Sequence, residues 1–168
     1  TDWGAHMFDI VQWALDMDHS GPVKIEVPNG SNIPYLTYTY ANGITMTHQT
    51  WEWNSGVEFV GTEGTLRIAR KKLETSNPSL KDRIIGANEK HVYKSENHYN
   101  DFLDAIKNRN KPICDVEIGH RTASVCNLGN IAYELNRNLN WDPKKEVFAK
   151  DTDANALLGR KMNKEWKV

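Results

Sequence analysis

The pair Asn42-Gly43, set between two runs rich in Thr, Tyr, Trp and Ile, constrains this chain more than any other feature. Residues 35–41 and 44–53 flank it. An Asn-Gly pair between such runs marks a β-hairpin, because both residues tolerate positive φ. The same chemistry extends from residue 23 to residue 70. Residues 23–27 form a short alternating run stopped by Pro28-Asn29-Gly30, and residues 57–60 and 65–69 flank Gly61-Thr62-Glu63-Gly64 as a further hairpin. Consecutive hairpins build a mainly antiparallel sheet.

Helical periodicity brackets this region. Phe8, Ile10, Val11, Ala14 and Leu15 recur at helical spacing over residues 2–17, with Asp2 as N-cap and Gly21-Pro22 as the break. Residues 97–109 carry Tyr99, Phe102, Leu103 and Ile106 as one apolar stripe, ended by Pro112. A longer helix over 116–137 places Ile118, Val125, Leu128, Ala132 and Leu135 on one face. Gly119 and Gly129 inside it each cost about 1 kcal/mol against Ala, a cost that close packing on a neighbouring element would offset. Trp141-Asp142-Pro143 reads as a turn, 151–158 as a last short helix, and 71–96 as polar and without clear pattern. The order helix, antiparallel strands, helices defines an α+β fold with a mainly antiparallel sheet.

The chain has 168 residues, the length of one domain, with 39% hydrophobic and 26% charged residues. Its formal net charge of −1 gives no general field for nucleic acid or an anionic membrane surface. Arg70-Lys71-Lys72, the densest basic cluster, reads as a solvated strand end. No apolar stretch approaches the roughly 18 residues of a membrane span. Two cysteines, Cys114 and Cys126, are no disulfide framework, although one bridge between them is conceivable. The histidines lack metal-ligand spacing, so no metal site is expected. Ser55 and Ser124 lack a nucleophile-elbow context, and neither cysteine has an activating base beside it in sequence.

The chemically informative segment is Asp2-Trp3-Gly4-Ala5-His6. Four residues apart on a helix, Asp2 and His6 project from the same face. A carboxylate beside an imidazole fixes its tautomer and stabilises the imidazolium, which is what a general base for an alcohol proton needs. Gly4, lacking a side chain, would admit a flat ring such as a nicotinamide. From the residues alone the pair more often describes a capping Asp and a surface His.

Asp2-Trp3-Gly4-Ala5-His6, running on through Phe8-Asp9-Ile10-Val11-Gln12-Trp13, resembles the helix that opens the second domain of Gfo/Idh/MocA-type oxidoreductases. The resemblance continues in Val57-Glu58-Phe59-Val60-Gly61-Thr62-Glu63-Gly64, in Asn100-Asp101-Phe102-Leu103-Asp104-Ala105-Ile106 and in Pro112-Ile113-Cys114-Asp115-Val116-Glu117-Ile118-Gly119-His120-Arg121. It implies that residues 1–168 are the carboxy-terminal substrate-binding and oligomerising domain of a two-domain, NAD(P)-dependent dehydrogenase. The substrate would be a sugar-like or cyclitol secondary alcohol, with His6 as general acid/base and Asp2 as its partner. Trp51, His98, His120 and Arg121 are candidate substrate contacts, as are Tyr35, His48 and Trp53.

Neither a Glu-Lys-Pro motif nor a Gly-x-Gly-x-x-Gly phosphate loop occurs. With a start at Thr1 rather than Met, this predicts a fragment that neither binds NAD or NADP nor turns over by itself, its amino-terminal nucleotide-binding domain lying upstream. The resemblance also implies helices packed on one face of the sheet and the other face open for oligomerisation, with a homodimer or tetramer through that open face. The compartment, cytoplasm or periplasm, is not written in the chain, since a targeting signal would lie upstream of Thr1. Two other activities stay open: an NAD-dependent glycosidase of the same superfamily, and a non-catalytic assembly or sugar-binding domain.

Overall fold

The computed structural model describes residues 2–30, 32–53, 55–160, 162, 163 and 165. Helix α1, Asp2–Ala14, buries Phe8, Val11 and Gln12. Three strands follow: β1 (Lys24–Glu26), β2 (Leu36–Thr39) and β3 (Thr45–His48). The chain continues through β4 (Val57–Gly61), β5 (Gly64–Ala69), β6 (Lys72–Thr75), and the short α2 (Pro78–Lys81). Helices α3 (His98–Asn108) and α4 (Val116–Leu135) precede β7 (Leu139–Asp142), β8 (Val147–Phe148) and α5 (Thr152–Ala156). The expected α+β class with antiparallel sheets is what forms.

The strands divide between a five-stranded sheet in the order β3-β2-β1-β7-β8 and a three-stranded sheet β4-β5-β6. In the larger sheet, Ile25, Leu36, Tyr38, Met46, Leu139 and Trp141 alternate onto the buried face. Lys24, Glu26, Thr37, Thr39, Thr45, Thr47 and Asn140 take the opposite face, aligned by the pairs Lys24↔Thr39, Thr39↔Thr45 and Thr37↔Thr47. Helices α1 and α4 cover the first face. The only fully buried amide side chain of α1, Gln12, is satisfied on every side. Its Nε2 donates to the carbonyls of Met17 and Ser20 at 3.0 and 3.1 Å, and its Oε1 accepts from the Tyr40 hydroxyl at 2.7 Å. One side chain thereby closes the carboxy-terminal end of α1 against β2, as a buried amide must to avoid a desolvation cost.

The hairpin at Asn42-Gly43 forms with a different turn from the two-residue one. Tyr40 donates to the Ile44 carbonyl at 2.9 Å, so three residues make the loop. Only Gly43 has positive φ, +85°, while the Asn42 side chain accepts from the Ile44 amide at 3.1 Å. This is the type I turn with a left-handed third residue that three-residue hairpins favour. Strand β3 ends at His48 instead of running to Trp53. Trp51 folds flat onto Gly56, and Trp51 and Trp53 stack at 4.8 Å over Arg67, whose guanidinium lies 5.6 and 5.9 Å from their centres. Cation–aromatic stacking on the small sheet thus takes these residues out of the large one.

Three strands had no clear sequence signal. Lys72–Thr75, β6, turns back from β5 through Lys71, which adopts a left-handed φ of 61°. Trp141 and Asp142, read as a turn, belong to β7, with Pro143 just beyond it; Leu139 and Trp141 are its buried side chains. Strand β8 has two residues. Gly129 does lie against a neighbour, because α4 rests on Tyr38 and Leu36 there, whereas Gly119 faces open space. The apolar stripe of α3 (Tyr99, Phe102, Leu103, Ile106) is exposed along its whole length. Cys114 is exposed and Cys126 buried, and both are free thiols. Among the described residues no helix is long and apolar enough to cross a membrane.

Asp151 joins three elements. It accepts from Ala154 N at 3.1 Å as the cap of α5, and both of its oxygens receive the Arg137 guanidinium just beyond α4, at 2.6 and 2.7 Å. The Arg137 bonds first, and the Ala154 amide second, hold its carboxyl at about 2 against an ordinary 3.8. A depressed value means that its contribution to stability is complete above 3.8 and is lost as pH falls through about 2. Asp151→Asn keeps a good cap but loses the ionic pair. The variant should be less stable at neutral pH and show a shallower acid limb in that window. Urea midpoints that run parallel to those of the parent down the whole limb would contradict this.

Candidate functional site

The first turn of α1 carries the segment singled out in the sequence. Asp2 and His6 are both exposed and share a helix face, and no hydrogen bond or ion pair joins them. The nearest aromatic neighbour of the His6 ring is Trp3, 5.4 Å away and tilted by 48°. The Arg70 guanidinium also lies against Trp3, 5.1 Å from the indole centre. Trp3 therefore has both His6 and Arg70 as neighbours, at the start of α1 and just beyond β5.

His6 opens onto a groove between α1 and α4, floored by Ile68 and Ala69 of β5 and edged by Arg70. The α4 wall is made of Gly119, Thr122 and Ala123. These small residues leave width beside the imidazole, and a β-carbon at Gly119 would meet nothing. The Thr122 hydroxyl donates to Asp9 Oδ1 at 2.9 Å, fixing α4 to α1 and holding the Asp9 carboxylate at the groove wall. One side of the groove is thus apolar and small, and the other carries an imidazole, a carboxylate and a guanidinium.

A flat ring does approach Gly4, and it belongs to the protein. The His48 imidazole, at the end of β3, comes within 4.0 Å of where a Gly4 β-carbon would stand and meets Phe8 edge-on at 5.2 Å. Desolvation against Phe8 lowers the His48 pKa from its ordinary value, even though the outer edge of the ring remains in solvent. His48 is thus biased toward the neutral form. Gly4 and His6 point about 200° apart around the helix, so His48 and His6 flank the first turn from opposite sides.

The other candidates lie elsewhere. Trp51 packs on Gly56 in the small sheet and does not line the groove. His98 stacks on Tyr99 at 4.1 Å on the exposed α3. His120 and Arg121 both engage Glu146, at 2.6 and 2.9 Å, and Arg121 also binds Glu117 and the Pro143 carbonyl, each at 2.7 Å. That network ties α4 to the turn after β7. His120 also borders a separate groove between α4 and residues 157–160. Tyr35 is exposed just ahead of β2. Three groove residues escaped the sequence reading: Arg70, taken as a solvated strand end, and Asp9 and Thr122. Asp9 was the most accessible of them, since it follows His6 by three positions on one helix face.

Cysteine chemistry finds no support. Burial pushes both the Cys114 and Cys126 thiols up, and the Asp9, Asp18 and Asp115 carboxylates push Cys114 further. A nucleophilic cysteine requires the opposite shift. Among the described residues no group of His, Cys, Asp and Glu side chains is placed to hold a metal ion.

Residues 1–168 match the family model described as "Oxidoreductase family, C-terminal alpha/beta domain". The chain belongs to that family, the carboxy-terminal domain of the Gfo/Idh/MocA oxidoreductases. No curated protein and no solved structure matches it.

Proposed function

We propose that this chain is the substrate-binding domain of an NAD(P)-dependent oxidoreductase acting on the secondary alcohol of a sugar or cyclitol, with His6 as general base. The observation that carries this reading is an exposed imidazole at the first turn of α1, opening onto a groove in a domain of oxidoreductase family membership. The chain's own residues do not fit a dinucleotide. Its Gly61-Thr62-Glu63-Gly64 turn closes a β-hairpin, with Gly61 paired to Gly64, where a phosphate cradle needs a turn from strand into helix. The cofactor is therefore assigned to a separate nucleotide-binding domain and supplies the hydride acceptor.

The part left to this chain is binding and proton transfer. A substrate lying in the groove between Ile68 and Gly119 would present a hydroxyl to His6. Neutral His6 accepts its proton as the carbon is oxidised, and Asp2 on the same helix face stabilises the imidazolium that results. The Thr-lined face of the five-stranded sheet, with Lys24 and Glu26 paired along β1 at 2.7 Å, is polar and suits an isologous contact with a second copy.

The reading is tested with the enzyme that contains this domain, supplied with NAD or NADP and a panel of sugars, cyclitols and glycosides. Reduced nicotinamide accumulating in step with a ketone product is the expected result. Glycoside cleavage without net cofactor reduction would replace the dehydrogenase by a glycosidase. Sugar binding with neither reaction would leave a non-catalytic domain.

A further inference from the structure

Arg67, Arg83, Arg121 and Arg137 each rest against a carboxylate, whereas Arg70, like Arg109 and Arg160, has none among the described ion pairs; of these three, Arg70 borders the His6 groove. It is held by the Trp3 indole, 5.1 Å from the ring centre, on the rim of the groove that His6 enters. Stacking on an aromatic face fixes a guanidinium without using its N–H groups, which stay free for a ligand. His6 lines the same groove and also neighbours Trp3, 5.4 Å away between ring centres. The nearest negative charge on the groove wall, Asp9, is engaged by the Thr122 hydroxyl at 2.9 Å rather than by Arg70. The remaining walls, Ala5, Ile68, Ala69 and Gly119, offer an anion no other partner.

We propose that Arg70 forms an oxyanion subsite of the His6 groove, so that the alcohol presented to His6 belongs to a sugar acid or a sugar phosphate rather than to a neutral sugar. This rests on the assignment of the groove to substrate made above. Planar carboxylates and phosphates are the groups a guanidinium fork matches in two parallel bonds. An anion held at Arg70 would then fix which hydroxyl of the ring faces the imidazole, since both groups line one groove.

The chain of residues 1–168 is titrated with D-glucuronate, D-glucose 6-phosphate, D-glucose and NAD, followed by calorimetry or by shifts of the histidine resonances. At least one sugar anion should bind about tenfold or more tighter than glucose, the affinity of one charge-assisted bond. Preference for glucuronate identifies a carboxylate, and preference for the phosphate identifies a phosphoryl group. Arg70→Gln should erase the preference to within about twofold, while Arg109→Gln, which removes the same charge at the end of α3, should leave it intact. Circular dichroism of both variants controls for folding. Equal binding of glucose, binding of NAD alone, no binding at all, or a preference that survives in Arg70→Gln would each overturn the subsite. The assignment of His6 is judged separately, by turnover in the intact enzyme, so the two can fail independently.

Discussion

His6→Ala is expected to lower kcat of the intact oxidoreductase by about 10²–10⁴-fold, the usual worth of a positioned proton acceptor, with KM little changed. The side chain is exposed on the first turn of α1 and has no hydrogen bond among the described residues, so its loss leaves the core intact and costs little stability. The groove residues proposed to bind substrate, Arg70 and the groove floor among them, are untouched by the substitution, which is why binding should hold while the chemical step fails. Asp2→Asn should have a smaller effect, because no hydrogen bond joins it to His6 before substrate and cofactor assemble. A His6→Ala enzyme working within about threefold of the parent would remove His6 from the reaction.

What could be read from the residues, and what could not, follows the range of the forces involved. Helix α1 and the hairpin around Asn42-Gly43 depend on neighbours four residues apart or fewer, and both appear where periodicity and turn chemistry put them. Strand β6 was hidden because Lys72 and Glu74 are polar and Lys71 supplies a left-handed turn without glycine. Strand β7 was hidden because its signal is two buried side chains, Leu139 and Trp141, meaningful only beside Ile25 of β1. The groove shows the same limit. His6 could be found from its spacing to Asp2, but Arg70 becomes interesting only once Trp3, more than sixty residues earlier in the sequence, lies beneath it. Trp51 and His120 were plausible by residue type, and their packing on Gly56 and pairing with Glu146 put them to other uses.

Gly129 gives the clearest case in which local propensity and tertiary packing predict opposite signs. In the middle of a twenty-residue helix, replacement of glycine by alanine normally stabilises by about 1 kcal/mol. At this position a β-carbon would overlap the Tyr38 hydroxyl and stand 2.9 Å from Leu36 Cδ2. Neither neighbour can yield cheaply. Tyr38 is 1% exposed, packed edge-on against Phe8 at 5.6 Å, and Leu36 is 2% exposed. Relief would require α4 to lift from β2, opening the layer that Val125, Leu128 and Ala132 fill. Gly129→Ala is therefore expected to destabilise the domain by about 2–3 kcal/mol, the range of overpacking in a dense core. Because the worst overlap is with one hydroxyl, Tyr38→Phe in the same chain should recover a substantial part, giving a coupling above about 0.5 kcal/mol in a double-mutant cycle. The helix that moves also carries Gly119 and Thr122, so turnover of the intact enzyme should fall along with stability, and the Tyr38→Phe partner should restore both. A Gly129→Ala protein with a higher unfolding midpoint than the parent would mean that α4 does not rest on β2 as described, and the groove beside His6 would lose its second wall.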